Sequence, residues 1–229
     1  LNWYGGDFSG SPEEAGRKDG ARAKNVFPVT SFRLLHKSMT QRSTRRLFIA
    51  MDTPAVIKRH IAHIQDDLRA TQSDVRWESS EKFHLTIKFL GSTAPDLLDQ
   101  ITTRLGAAAA KFSPLTVVYR NIGCFPKRGD PRIIWIGMEE QSGGLIMLQQ
   151  LIDTEMAAIG FPREDRPFHP HVTIGRIRST RRISALRRMM ETLTFECQPV
   201  VVSSIDLMNS ELKPGGSVYT PIASFPLGE

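Results

Sequence analysis

From Arg45 onward the chain switches repeatedly between two hydrophobic periods. Arg45 to Met51 reads as a strand. Thr53 followed by Pro54 predicts a helix start, with Thr53 as the cap and Pro54 at the first helical position, where its missing N–H costs nothing. Ile57, Ile61, Ile64 and Leu68 then recur at helical spacing, so an amphipathic helix is expected to about Ala70. Val75–Trp77 and Phe83–Leu90 follow as strands. Leu98, Ile101, Leu105, Ala108 and Phe112 stripe a second helix over Pro95–Phe112. Strands rich in Val, Ile and aromatics are expected at Leu115–Phe125 and Arg132–Met138. Leu148, Ile152, Glu155 and Ile159 lie near one face of a third helix, which Gly160 is placed to end. A strand at His171 precedes a basic helix with Ile183, Leu186, Met190 and Leu193 inward. Strands at about Cys197–Met208 and Ser217–Phe225 close the chain.

The strand pairs at 75–90 and 115–138 are joined without helices, which favours antiparallel sheet with helices packed on one side, an α+β fold. Two strands carry the same pattern: His84-Leu85-Thr86-Ile87 and His171-Val172-Thr173-Ile174. Each lies roughly midway through its half of residues 46–229, so an internal duplication is expected. The predicted molecule is bilobal, with two pseudo-symmetric antiparallel sheets, helices on the outside and a central cleft lined by one His strand from each lobe.

Residues 1–45 differ from the rest: rich in Gly, Ser, Lys and Arg, without sustained periodicity, they read as a disordered leader or a mis-annotated start. They hold eight Lys and Arg against four Asp and Glu, leaving 22 against 20 in residues 46–229. The net charge of +6 is therefore no argument for nucleic-acid binding by the folded part. A hydrophobic content of 40% supports a real core, and no apolar stretch is long enough to span a membrane. Cys124 and Cys197 show no metal or redox spacing. Together these point to a cytoplasmic protein, expected to be a monomer.

The repeated pattern carries the chemistry. In a strand, residues i and i+2 share a face, so each His stands beside its Thr while Leu85, Ile87, Val172 and Ile174 face the core. A given His has roughly a one-in-twenty chance of a Thr two places on, so one pair among six His is unremarkable. Two pairs, each in a strand pattern flanked by aliphatics, are not. Facing each other, they would supply a general acid, a general base and two hydroxyl donors for phosphoryl oxygens, with no metal and no cofactor.

The residues also match a known family. Arg46-Leu47-Phe48-Ile49-Ala50, Val75-Arg76-Trp77, His84–Gly91, Phe125-Pro126, Pro131–Gly137, Pro170–Arg176 and Ser210–Tyr219 occur in order. On that set the chain resembles the RNA 2′,3′-cyclic phosphodiesterases, also called 2′–5′ RNA ligases, of the two-histidine phosphoesterase superfamily. The resemblance implies the bilobal fold and hydrolysis of RNA 2′,3′-cyclic phosphate ends to a 2′-phosphate, with reversible 2′–5′ ligation. It implies His84 as proton donor, His171 as proton acceptor and Arg176 as a phosphate contact. Thr86 and Thr173 would bind the phosphate.

Several residues have plainer readings. Lys88 shares the parity of His84 and Thr86 and is expected as a solvated strand-end lysine. Arg176 has the opposite parity and needs a bend near Gly175 to reach the site. Phe125 is expected in the core, His60 and His63 on a helix surface, and His169 beside the site by coincidence. Arg181, Arg182, Arg187 and Arg188 suit either an RNA backbone or a solvated helix face. Three other functions fit parts of the pattern. One is a non-catalytic nucleotide- or RNA-binding module of the same fold. Another is a hydrolase of small cyclic nucleotides. The third is a metal-dependent hydrolase using His169, His171 and a carboxylate such as Asp165.

Overall fold

The computed structural model describes residues 44–228. The expected leader thus lies outside the described residues, apart from Thr44 and Arg45. In chain order the elements are β1 (Arg45–Asp52), α1 (Ala55–Arg69), β2 (Val75–Trp77), β3 (His84–Thr93), α2 (Leu98–Ala109), β4 (Leu115–Phe125) and β5 (Ile133–Glu139). Then come α3 (Gly144–Ala157), β6 (His171–Ile177), α4 (Ile183–Thr192), β7 (Val200–Val202), β8 (Ser204–Lys213) and β9 (Gly216–Pro226).

Two antiparallel leaves make up the sheet. Strand order is β7-β4-β5-β6-β3-β1-β8-β9, with β2 pairing the outer end of β6. Where the leaves meet, β3 and β6 pair at one position, Leu85 opposite Val172. The duplication is visible in the connectivity. β1-α1-β3-α2-β4 repeats as β5-α3-β6-α4-β8, and each half lends its last strand to the other half's leaf: β4 pairs β5, and β8 pairs β1. That exchange ties the two halves together.

One face of the sheet is covered by helices. Leu47, Ile49 and Met51 of β1 meet Ile57, Ile61 and Leu68 of α1, Ile101 and Leu105 of α2, and Leu148, Ile152 and Met156 of α3 in a common core. Phe48, Ala50 and Trp135 are also buried but stand apart from that core, because they point to the opposite face. That face is the cleft. Among the described residues no helix is long and apolar enough to cross a membrane.

Local details differ from the expectations in three places. Thr53 does not cap α1; Pro54 is the capping residue, its carbonyl accepting from the Lys58 amide at 3.0 Å, and Thr53 is fully buried. The second helix starts at Leu98 after a single 3-10 turn at Pro95–Leu97, and Phe112 packs on the core from beyond its end. The expected strand at Cys197–Met208 is divided at Ser203, because β7 pairs with β4 in one leaf while β8 pairs with β1 in the other. Gly160 does end the third helix: its φ of 95° lets the Phe161 amide reach back to the Met156 carbonyl at 3.1 Å.

Candidate active site

Leu85 and Val172 are both fully buried on the helix-covered face. Antiparallel pairing at that position carries His84 towards Thr173 and Thr86 towards His171 on the cleft face. All four side chains are half-buried. Each imidazole therefore faces the hydroxyl of the other motif as well as sharing a face with its own.

His171 has a defined tautomer. Its Nδ1 lies 2.6 Å from the His169 carbonyl oxygen, which can only accept, so Nδ1 carries the proton and Nε2 carries the lone pair. Phe125 stands edge-on to this ring at 5.1 Å and edge-on to His169 at 5.2 Å, with Trp135 behind. Phe125 is thus a cleft aromatic. The expectation of a core position fails because its strand position, opposite Ile133, faces away from the helices. The indole of Trp135 lies flat over Gly123, where a Cβ would sit 2.2 Å from Cζ2. No larger residue leaves room for it.

On the other side His84 packs against Phe48 at 5.0 Å and edge-on to Tyr219 at 5.3 Å. Asp52 lies opposite His84 in the β1–β3 register and pairs with Lys58 at 2.7 Å. Burial pushes the His84 imidazole down to about 4, with Asp52 and Glu78 acting against the shift and Lys58 with it. Burial also lowers His171, opposed by its bond to the His169 carbonyl. Burial therefore favours the neutral form of both rings in the free protein.

Two β-bulges decide where the flanking cations go. Opposite β1, Lys88 pairs with Ile49 and Thr86 with Ala50, leaving Ile87 extra. The bulge flips the parity, so Lys88 turns into the protein, 2% exposed, and bonds Asp153 at 2.6 Å and the Pro162 carbonyl at 2.7 Å. Lys88 is neither solvated nor at the cleft. Opposite β5, Gly175 pairs with Ile134 and Thr173 with Trp135, leaving Ile174 extra. Here the flip brings Arg176 to the cleft face, the bend that the parity count called for near Gly175. Its Nε donates to Glu78 Oε1 at 2.8 Å.

The remaining candidates are peripheral. His169 is exposed, and so are His60 and His63 of α1, with His60 Nδ1 3.4 Å from Cys197 Sγ. Among the described residues no three His, Cys, Asp or Glu side chains are placed to hold a metal. Arg182 bonds the Gln72 side chain and Arg187 the Gly129 carbonyl, both bracing surface loops. Reading the sequence gave no site role to Phe48, Glu78, Trp135 or Tyr219. For Glu78 a signal existed: it follows Arg76 by two residues and so shares its strand face.

The sequence model of the LigT like phosphoesterase family matches the chain twice, over residues 51–135 and 136–219, one match for each half. An RNA 2′,3′-cyclic phosphodiesterase of Methanothermobacter thermautotrophicus is 31% identical over 80% of this chain and 98% of its own length. The Escherichia coli protein of the same name is 28% identical over 80% and 97%. Among solved structures, TT0787 of Thermus thermophilus superposes with a TM-score of 0.68 at 26% identity, covering 80% of this chain and 99% of that one. E. coli LigT complexed with 3′-AMP gives 0.61 at 27%, covering 81% and 99%. With the repeated motif, the duplicated connectivity and these matches all in agreement, the chain belongs to the LigT-like phosphoesterases.

Proposed function

We propose that this protein hydrolyses RNA 2′,3′-cyclic phosphate ends to a 2′-phosphate and a 3′-hydroxyl. The observation that carries the reading is the crossed arrangement of the two motifs at Leu85 and Val172, which puts two imidazoles and two hydroxyls on one cleft face. The names of the relatives support the substrate class.

His171 Nε2 takes a proton from water, and the water oxygen bonds to phosphorus. The P–O3′ bond breaks, and His84 gives its proton to the departing O3′. The charge gathering on the non-bridging oxygens is met by the Thr86 and Thr173 hydroxyls and by Arg176. His84 must be protonated to act. A bound phosphodiester anion raises its proton affinity by removing water and adding negative charge. With the two imidazoles exchanging roles, the same site serves 2′–5′ ligation. The reading extends to a cytoplasmic monomer, a compartment in which the unpaired Cys124 and Cys197 persist.

The test is to incubate the protein, with chelator present, with an RNA ending in a 2′,3′-cyclic phosphate and to identify the product. A terminal 2′-phosphate is expected. An unchanged end, or a 3′-phosphate, contradicts the reading.

A further inference from the structure

Glu78 sits at the outer end of the cleft, 8% exposed, with three cations around it. Arg176 Nε lies 2.8 Å from Oε1, Arg76 Nη2 lies 3.9 Å from Oε1, and Lys82 Nζ lies 3.9 Å from Oε2. Arg76 and Arg176 are direct cross-strand partners in the β2–β6 ladder. They share the cleft face, since Val75 and Trp77 on either side of Arg76 pack on the core. Like charges set directly opposite on neighbouring strands are destabilising. One carboxylate offsets one charge, and among the described residues no other carboxylate lies within ion-pair distance of these three groups. The cluster keeps a net charge of +2. The cation side chains remain 24–45% exposed, open to a ligand. The tip of the β8–β9 hairpin lies beside them at Gly216, whose absent Cβ would lie 3.8 Å from Lys82 Nζ and 3.9 Å from Arg76 Nη1.

We infer that Arg76 and Lys82, arrayed around Glu78, form a second anion subsite for the internucleotide phosphate next to the terminal cyclic phosphate. The inference rests on the phosphodiesterase reading and sharpens it: the preferred substrate is a nucleotide chain, not a mononucleotide. Connectivity supports the placement. Arg176 follows the Thr173 motif on β6, and Lys82 precedes His84 by two residues, so the cluster adjoins both halves of the catalytic face. Glu78 neutralises part of the charge and holds the Arg176 guanidinium in register through Nε, leaving its terminal nitrogens without a partner among the described residues.

Three substrates test this: adenosine 2′,3′-cyclic phosphate, a diadenosine ending in 2′,3′-cyclic phosphate, and that dinucleotide with an uncharged methylphosphonate linkage. For the unaltered protein kcat/KM should be about tenfold higher with the charged linkage than with the neutral one, the worth of one charge-assisted contact. In Arg76→Ala and Lys82→Ala the preference should collapse to within about twofold, with adenosine 2′,3′-cyclic phosphate turned over as before. Equal rates on the two dinucleotides in the unaltered protein would overturn the subsite. So would variants that lose the mononucleotide activity in equal measure, which would mark the cluster as part of the scissile-phosphate site. No turnover of any substrate would remove the phosphodiesterase reading, and the subsite with it.

Discussion

Leu85 and Val172 face each other at the one position where, among the described residues, the two motif strands pair. Both are fully buried. Because side chains alternate at period two, a one-residue slip of either strand would drive its His and Thr into the core. The apolar residues of the motifs thus set the register, and the polar ones inherit their alignment from it.

The Lys88–Asp153 ion pair should hold β3 against α3. Lys88→Met leaves the Asp153 carboxylate in a site only 11% exposed, with the exposed Arg163 at 3.8 Å as its remaining cation. A loss of roughly 3 kcal/mol is expected, read from urea unfolding. Adding Asp153→Leu should recover much of it. A single variant as stable as the parent would show that the pair contributes nothing.

The threonines should matter to rate and not to folding. Thr86→Val and Thr173→Val keep shape while removing one hydroxyl donor each from the cleft face. Turnover of a cyclic phosphate end should fall about 10²-fold per substitution, with thermal midpoints close to the parent. Wild-type rates in both would place the hydroxyls outside the reaction.

The faces of the motif strands were legible from the sequence because Leu85, Ile87, Val172 and Ile174 are aliphatic and the residues between them polar. The environments of Lys88 and Arg176 were not. Parity counting assumes an unbroken ladder, and an extra residue at Ile87 or Ile174 leaves no mark on the alternation before it. The need for a bend could be stated at Gly175, where a side chain would press on Val75 and Trp77, but not at Lys88. Tyr219 and Phe48 escaped for another reason. They reach His84 only through the β8–β1–β3 order of the sheet, a long-range pairing that local periodicity does not encode. The buried Thr53 shows the same limit: a good cap residue by composition lies one residue before the position that caps.

Acid–base chemistry with two depressed imidazoles shifts the pH optimum. The productive state needs one ring protonated and one neutral. The free protein has His84 near 4 and His171 below its usual value. Since kcat/KM reports the free enzyme, its bell should peak on the acid side of pH 6.5, with limbs that belong to the coupled pair. A bound phosphate raises both affinities for protons, so the kcat profile should lie at higher pH. Steady-state kinetics across pH 4–9 check this; a kcat/KM maximum above pH 7.5 is the contrary result.

Most direct is the kinetic comparison of His84→Ala, His171→Ala and the double variant with the parent, on an RNA 2′,3′-cyclic phosphate end in chelator. Each single variant should lose about 10²–10⁴-fold. The double variant should be little worse than either, since the two act as a unit. Substantial activity in one single variant, or activity that returns only with added metal, would contradict the two-histidine account.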